Sequence, residues 1–105
     1  MSKRLDMLEK LVASGGADSF AHYALALEYR REHRVDEALS AFEKLRAKDP
    51  DYLPMYLMAG ETFAGEDRIA EAREWLEAGI ALATKRGDSK TRGELETALE
   101  ETTSG

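Results

Sequence analysis

The sequence predicts an all-α fold of about six helices, arranged as helix–turn–helix pairs stacked side by side. Two observations carry that reading. Residues 19–50 are echoed thirty-four places further on: His22 meets Tyr56, Leu25 meets Ala59, Ala26 meets Gly60, Tyr29 meets Phe63, and Phe42 meets Leu76. The turn between the paired runs is echoed too, with Arg34, Val35, Glu37 and Ala38 answered by Arg68, Ile69, Glu71 and Ala72. A fixed period of this length marks an array in which each unit buries its apolar face only against its neighbours.

Each element follows from local pattern. From Lys3 to Ala13, Leu5, Leu8, Leu11 and Val12 recur at helical spacing, and Gly15-Gly16 ends the run. Leu5, Leu8 and Leu11 stand thirty-four residues before Leu39, Phe42 and Leu45, so this helix, within 1–16, reads as the second half of a preceding repeat. The first full unit occupies 19–52. Asp18 or Ser19 can cap a helix from about Phe20 to Glu32, and a turn at His33-Arg34 leads to a second from about Asp36 to Lys48. That helix buries Ala38, Leu39, Phe42 and Leu45 and stops at Asp49-Pro50, because proline disfavours the α region in the residue before it. The second unit, 53–86, repeats the plan with helices at 54–65 and 69–86, and Pro54 fits its first turn. Gly87-Asp88-Ser89 then gives a break and a cap. Leu95, Ala98 and Leu99 form a thin apolar stripe to about Glu101, out of the thirty-four-residue register, so 87–101 reads as a terminal cap. The tail 102–105 is expected to fray.

Composition narrows the function classes. The 105 residues make one domain. No cysteine is present, which excludes disulfides, thiolate nucleophiles and Cys-based zinc sites. The opening Met1-Ser2-Lys3-Arg4-Leu5-Asp6 lacks the apolar core of a signal peptide, and no apolar run approaches the roughly 20 residues of a membrane span. A cytoplasmic protein without membrane insertion is expected. Net charge is -6, and residues 49–105 hold thirteen acidic against six basic side chains, a balance that repels a phosphate backbone. Nucleic acid is therefore not an expected partner.

The spacing and order of small, large and aromatic residues resemble the tetratricopeptide repeat family. The first unit carries Leu25, Ala26, Tyr29, Ala38, Phe42 and Pro50 at matching places, and the second carries Tyr56, Ala59, Gly60, Phe63, Ala72 and Leu76. There are departures. His22 and Tyr56 stand for the family's first-helix tryptophan, and Leu45 and Gly79 for a late alanine. Thr84 stands for the second unit's proline, which lets that helix run long. The family's turn glycine is His33 in one unit and Asp67 in the other, residue types that tolerate positive φ better than most. The resemblance implies a short right-handed superhelix, and it implies a protein–protein interaction module. Two full repeats fall below the usual minimum of three, so the flanking helices or self-association must cover the ends.

The first helix of each unit is apolar on two opposed sides, and such a helix must bury both or expose one. His22, Leu25, Ala26 and Tyr29 form one side in the first unit, where the resemblance puts packing residues. Phe20, Tyr23, Ala24 and Leu27 form the other, with Arg30 and Arg31 at one end. The counterparts in the second unit are Pro54, Leu57, Met58 and Glu61. By resemblance this second set faces a concave groove that takes a helix or peptide of a partner protein. Two alternatives are that the chain's own terminal helices cover the face, or that the face is the contact of a homodimer. Arg30 and Arg31 could grip a partner carboxylate, or be neutralised by Glu61 or Glu28. The carboxylate-clamp members of the family use Lys and Asn here, where this chain has Tyr23 and Leu27.

No enzyme, cofactor or metal site is expected. His22 and His33 are the only histidines and have no partner at ligand or dyad spacing. Glu28, Glu32, Glu61 and Glu66 read as a solvated helix face, and no phosphate-cradling or nucleophile motif occurs. Trp75 is expected to pad a neighbouring helix rather than extend from the surface.

Overall fold

The computed structural model describes residues 2–103 and places among them six helices and no strand: α1 (Lys3–Ala13), α2 (Ser19–Arg31), α3 (Val35–Lys48), α4 (Pro54–Gly65), α5 (Ile69–Arg86) and α6 (Ser89–Glu101). Side chains cap three of the starts. The Ser2 hydroxyl accepts from the Leu5 N–H at 3.1 Å, the Asp18 carboxylate from the Ala21 N–H at 2.8 Å, and the Asp88 carboxylate from the Thr91 N–H at 3.0 Å. Of the two candidates for the α2 cap, it is therefore Asp18 that serves, and the helix begins at Ser19. Pro54 opens α4, where a missing N–H costs little.

The two repeat turns are built alike. His33 and Asp67 adopt φ of 60° and 59°. In the first turn the Arg34 N–H reaches the Tyr29 carbonyl at 2.9 Å and the His33 N–H the Arg30 carbonyl at 3.1 Å. In the second, Arg68 reaches Phe63 at 3.0 Å and Asp67 reaches Ala64 at 3.0 Å. This left-handed C-terminal motif satisfies carbonyls that a helix end otherwise leaves without partners. The arginine that follows starts the next helix. Its guanidinium forks onto the glutamate three residues on, at 2.6 Å for both bonds of Arg34 to Glu37 and 2.7 Å for both bonds of Arg68 to Glu71. The same guanidiniums lie over the aromatic ring of the preceding helix, 5.0 Å from the Tyr29 centroid and 4.9 Å from that of Phe63.

The chain divides into two compact units, residues 1–50 and 51–105. In the first, α2 packs on both α1 and α3. Leu5 and Leu8 of α1 meet Ala24 and Leu25 of α2, with Val12 and Tyr29 against the cluster. Two polar bonds tie the start of α2 to the end of α3: Ser19 to the Asp49 carboxylate at 2.7 Å, and the Lys48 ammonium to the Ala17 carbonyl at 3.0 Å.

In the second unit α5 packs on α4 and α6, and α4 also meets α6. Trp75 is buried between Tyr56 and Phe63 of α4, 5.8 Å from each ring, so it does pad the neighbouring helix. Leu95 is the buried residue of α6. With no proline at Thr84, α5 runs for 18 residues against 14 in α3, and it ends at Gly87, whose φ is 69°. The Arg73 guanidinium donates to the Thr102 hydroxyl at 2.9 Å, beside the α6 C-terminus. Of the tail expected to fray, Ser104 and Gly105 lie outside the described residues.

Candidate functional site

The apolar side of α2 expected to meet a partner borders a depression of about 320 Å3 in the first unit. Phe20 stands at its edge with 63 % of its surface exposed, Tyr23 and Leu27 are half-buried walls, and Ala24, 6 % exposed, is the floor. Ala24 thus belongs to the packing against α1 as much as to the face, since the α1–α2 crossing covers it. Arg31 is exposed on the rim and Arg30 is half-buried.

Two residues join this face that pattern reading did not place there. Glu28 was expected to be solvated, or to neutralise Arg30 and Arg31; instead it is buried at 8 % exposure. It follows Ala21 and Ala24 at helical spacing on the stripe that α1 covers. Its carboxylate accepts the Ser2 hydroxyl at 3.3 Å and lies 3.4 Å from the Arg4 guanidinium. A buried carboxylate requires such partners, because an isolated one would give up hydration with no return. Arg4, still largely exposed, is thereby held at the mouth of the depression. The stripe from Ala21 through Ala24 to Glu28 was the available signal for Glu28; Arg4 depends on how α1 crosses α2.

In the second unit, Pro54 and Glu61 are exposed on α4, and Leu57 and Met58 are half-buried. The same helix turns Thr62 inward, its hydroxyl bonded to the Met58 carbonyl at 2.7 Å.

A second depression of the first unit, about 380 Å3, lies where α1, α2 and α3 meet over Leu25 and Ala41. Along it the Tyr29 hydroxyl donates to Glu9 at 2.5 Å, and Arg34 approaches the same carboxylate at 3.9 Å. Burial, then the bond to Glu9, pushes the Tyr29 phenol up to about 12. His22 lines the other side, and its pKa is lowered by burial first and then by Lys48. Among the described residues no buried side-chain nitrogen or oxygen lacks a hydrogen-bond partner. Nor does any group of three His, Asp or Glu among them come together so as to hold a metal ion.

A family model described as a tetratricopeptide repeat matches residues 29–89, more than half of the chain. The chain belongs to the tetratricopeptide repeat family. It is similar to the solution structure of a tetratricopeptide repeat domain protein from Salinibacter ruber, with 33 % identity over 83 % of this chain and 88 % of that one, at a TM-score of 0.79. A crystal structure of a tetratricopeptide repeat domain protein from the same organism gives 34 % identity, 81 % and 96 % coverage, and a TM-score of 0.76. A solution structure of a protein from Bordetella parapertussis gives 28 % identity, 97 % and 89 % coverage, and a TM-score of 0.82. No curated protein matches the chain significantly. Tetratricopeptide repeats are protein-interaction scaffolds, which accords with a surface whose notable features are apolar faces and charged rims. No helix among the described residues is long and apolar enough to cross a membrane.

Proposed function

We propose that this tetratricopeptide repeat protein is a cytoplasmic adaptor that captures a helix or peptide segment of another protein on the face of α2 that carries Phe20, Tyr23 and Leu27, the concave face the resemblance implies. The supporting observation is Phe20: a phenyl ring 63 % exposed beside an apolar depression, in a family of interaction scaffolds. Large exposed apolar groups gathered around a concavity mark contact sites, and aromatic anchors dominate such contacts. Tyr23 and Leu27 supply the walls, and Arg4 and Arg31 offer charge-assisted bonds to carboxylates of the bound segment. Leu57 and Met58 of α4, with Pro54 and Glu61, form the corresponding patch of the second unit.

The test is affinity capture from the source cell with the wild-type chain, Phe20→Ala and the double variant Tyr23→Ser/Leu27→Ser, each accompanied by thermal melting. Expected is loss of the same specific partner with both variants at unchanged melting temperature for Phe20→Ala. Recovery of identical partner sets would refute the assignment of this face.

A second reading is supported by Met7 and Leu11 on α1, which are 61 % and 39 % exposed. Spaced four residues apart, they form an apolar stripe on the outside of α1, and a homodimer would bury it together with Phe20. Light scattering at two concentrations separates the readings, because the monomer mass at both concentrations excludes the dimer.

A further inference from the structure

The thirty-four-residue period gives the residues of α1 counterparts on the second helix of each full unit. Met7 answers to Ala41 and Trp75, and Leu11 to Leu45 and Gly79. All four counterparts are buried, in helices that pack on the first helix of their own unit, α3 on α2 and α5 on α4. Trp75 lies 5.8 Å from the Tyr56 and Phe63 rings of α4, and the Gly79 backbone comes close under Tyr56. In α1 the same two places are open. Met7 is 61 % and Leu11 39 % exposed, while Leu5 and Leu8 on the other side are buried against α2. These two are, with Phe20, the exposed large apolar side chains among the described residues. So the side of α1 that corresponds to the seat of a repeat's first helix stands uncovered.

The border of this seat has one sign of charge. Arg4, Met7, Leu11 and Ser14 follow one another at the three- and four-residue steps of a helix-pairing seam. Lys3 and Lys10, seven residues apart and both exposed, run along one edge of it. The acids of α1 are turned away: at about 100° per residue Asp6 lies about 120° round from the seam, and Glu9 accepts the Tyr29 hydroxyl at 2.5 Å. Arg4 is committed to Glu28, so the two lysines make the edge positive without it. In paired helices the flanking charges choose the partner. An incoming helix with aliphatic residues on the seam and glutamates beside them complements this face. A second copy seated antiparallel would bring Lys3 and Lys10 against like charges.

We propose that α1 receives an acidic amphipathic helix of another protein, which packs aliphatic side chains on Met7 and Leu11 and pairs glutamates with Lys3 and Lys10, as the first helix of a repeat packs on its second. The 11 residues of α1 span about 16 Å, so the incoming helix makes about three turns of contact. This seat does not rest on the face of α2 that carries Phe20.

The experiment is fluorescence anisotropy with the full-length chain and a fluorescein-labelled peptide of about two heptads, stapled as a helix, with Leu on the seam, Glu on the flanks and Ala elsewhere. The control peptide has Lys in place of Glu. Expected is saturable binding of the Glu–Leu peptide alone. Met7→Ser/Leu11→Ser should weaken it more than about tenfold at an unchanged melting temperature, since both side chains are exposed. Lys3→Glu/Lys10→Glu should weaken it about tenfold, the size of two edge ion pairs lost and reversed. Lys85→Glu/Lys90→Glu changes the net charge equally at exposed places in the second unit and should cost less than about twofold at physiological salt. Phe20→Ala should leave the affinity unchanged. Equal binding of the Lys–Leu peptide, equal losses from the two charge pairs, or binding that survives Met7→Ser/Leu11→Ser would overturn the proposal. So would a loss from Phe20→Ala as large as that from the α1 pair, which would put the peptide on the α2 face. A concentration-dependent dimer of the wild-type chain that Met7→Ser/Leu11→Ser dissolves would also overturn it, by identifying a second copy as the occupant.

Discussion

Gly79 shows how one missing methyl positions three helices. A Cβ at that place would lie 2.7 Å from the Tyr56 Cβ and 3.1 Å from both Leu95 methyls, so α5 meets α4 and α6 there through its bare backbone. Gly79→Ala would gain about 1 kcal/mol of helix propensity and lose about 1–3 kcal/mol to overpacking against a Cβ that cannot rotate away. The second effect wins, and a net loss near 1 kcal/mol should lower the melting temperature by roughly 4–8 °C. Gly93→Ala on α6, with open space around it, should instead raise the melting temperature. His22 sets a pH dependence. Burial holds its folded pKa below the unfolded 6.5, so protonation favours the unfolded chain. Stability is full above that value and declines as pH falls through it. In urea titrations the decline between about pH 7 and pH 5 should flatten in His22→Gln. Glu37, Glu71 and Asp88, with pKa values lowered by their bonds to Arg34, Arg68 and Thr91, lose their contributions only at still lower pH. At this level the sequence was legible for residues whose neighbours lie on the same helix. Glu28 and Arg4 were not, because their partnership arises where α1 crosses α2.

Helix ends were the most legible feature, since caps and breakers act within a few residues. α1, α4 and α5 run as their patterns predict, while α2 starts one residue early, immediately after its Asp18 cap, and α3 starts one residue early at Val35. Asp67 and His33 carry the left-handed turns that glycine adopts without steric cost. Asp67→Gly should therefore stabilise the second unit by about 0.5–1 kcal/mol, the steric relief outweighing the extra entropy of the unfolded chain. A shift of the urea midpoint to higher concentration, at constant slope, would register it. Thr84 makes the converse point. Thr84→Pro restores the family's residue, but here the helix continues, and the Gly87 N–H bonds to the Thr84 carbonyl at 3.1 Å. The ring would clash with the preceding turn and cost about 3 kcal/mol. A lower helical signal in circular dichroism together with a lower melting temperature is expected.

For the whole chain, the thirty-four-residue echo made the stacked helical plan and the family readable before any coordinate. Leu8, Phe42 and Leu76, one series at that period, are all buried. The proposed contact face was readable only in outline. Phe20, Tyr23 and Leu27 were placed by helical spacing, but whether such a face is open depends on what its neighbours cover, and Phe20 stands exposed where Ala24 beside it does not. The central claim is that the face around Phe20 holds another protein. Photo-crosslinking inside the source cell tests it most directly, with a photoreactive phenylalanine analogue at position 20 and, as control, at the exposed Glu94. A discrete adduct to one heterologous protein from position 20, absent from position 94, is expected; identical adducts from both positions, or a self-crosslinked dimer alone, would contradict it.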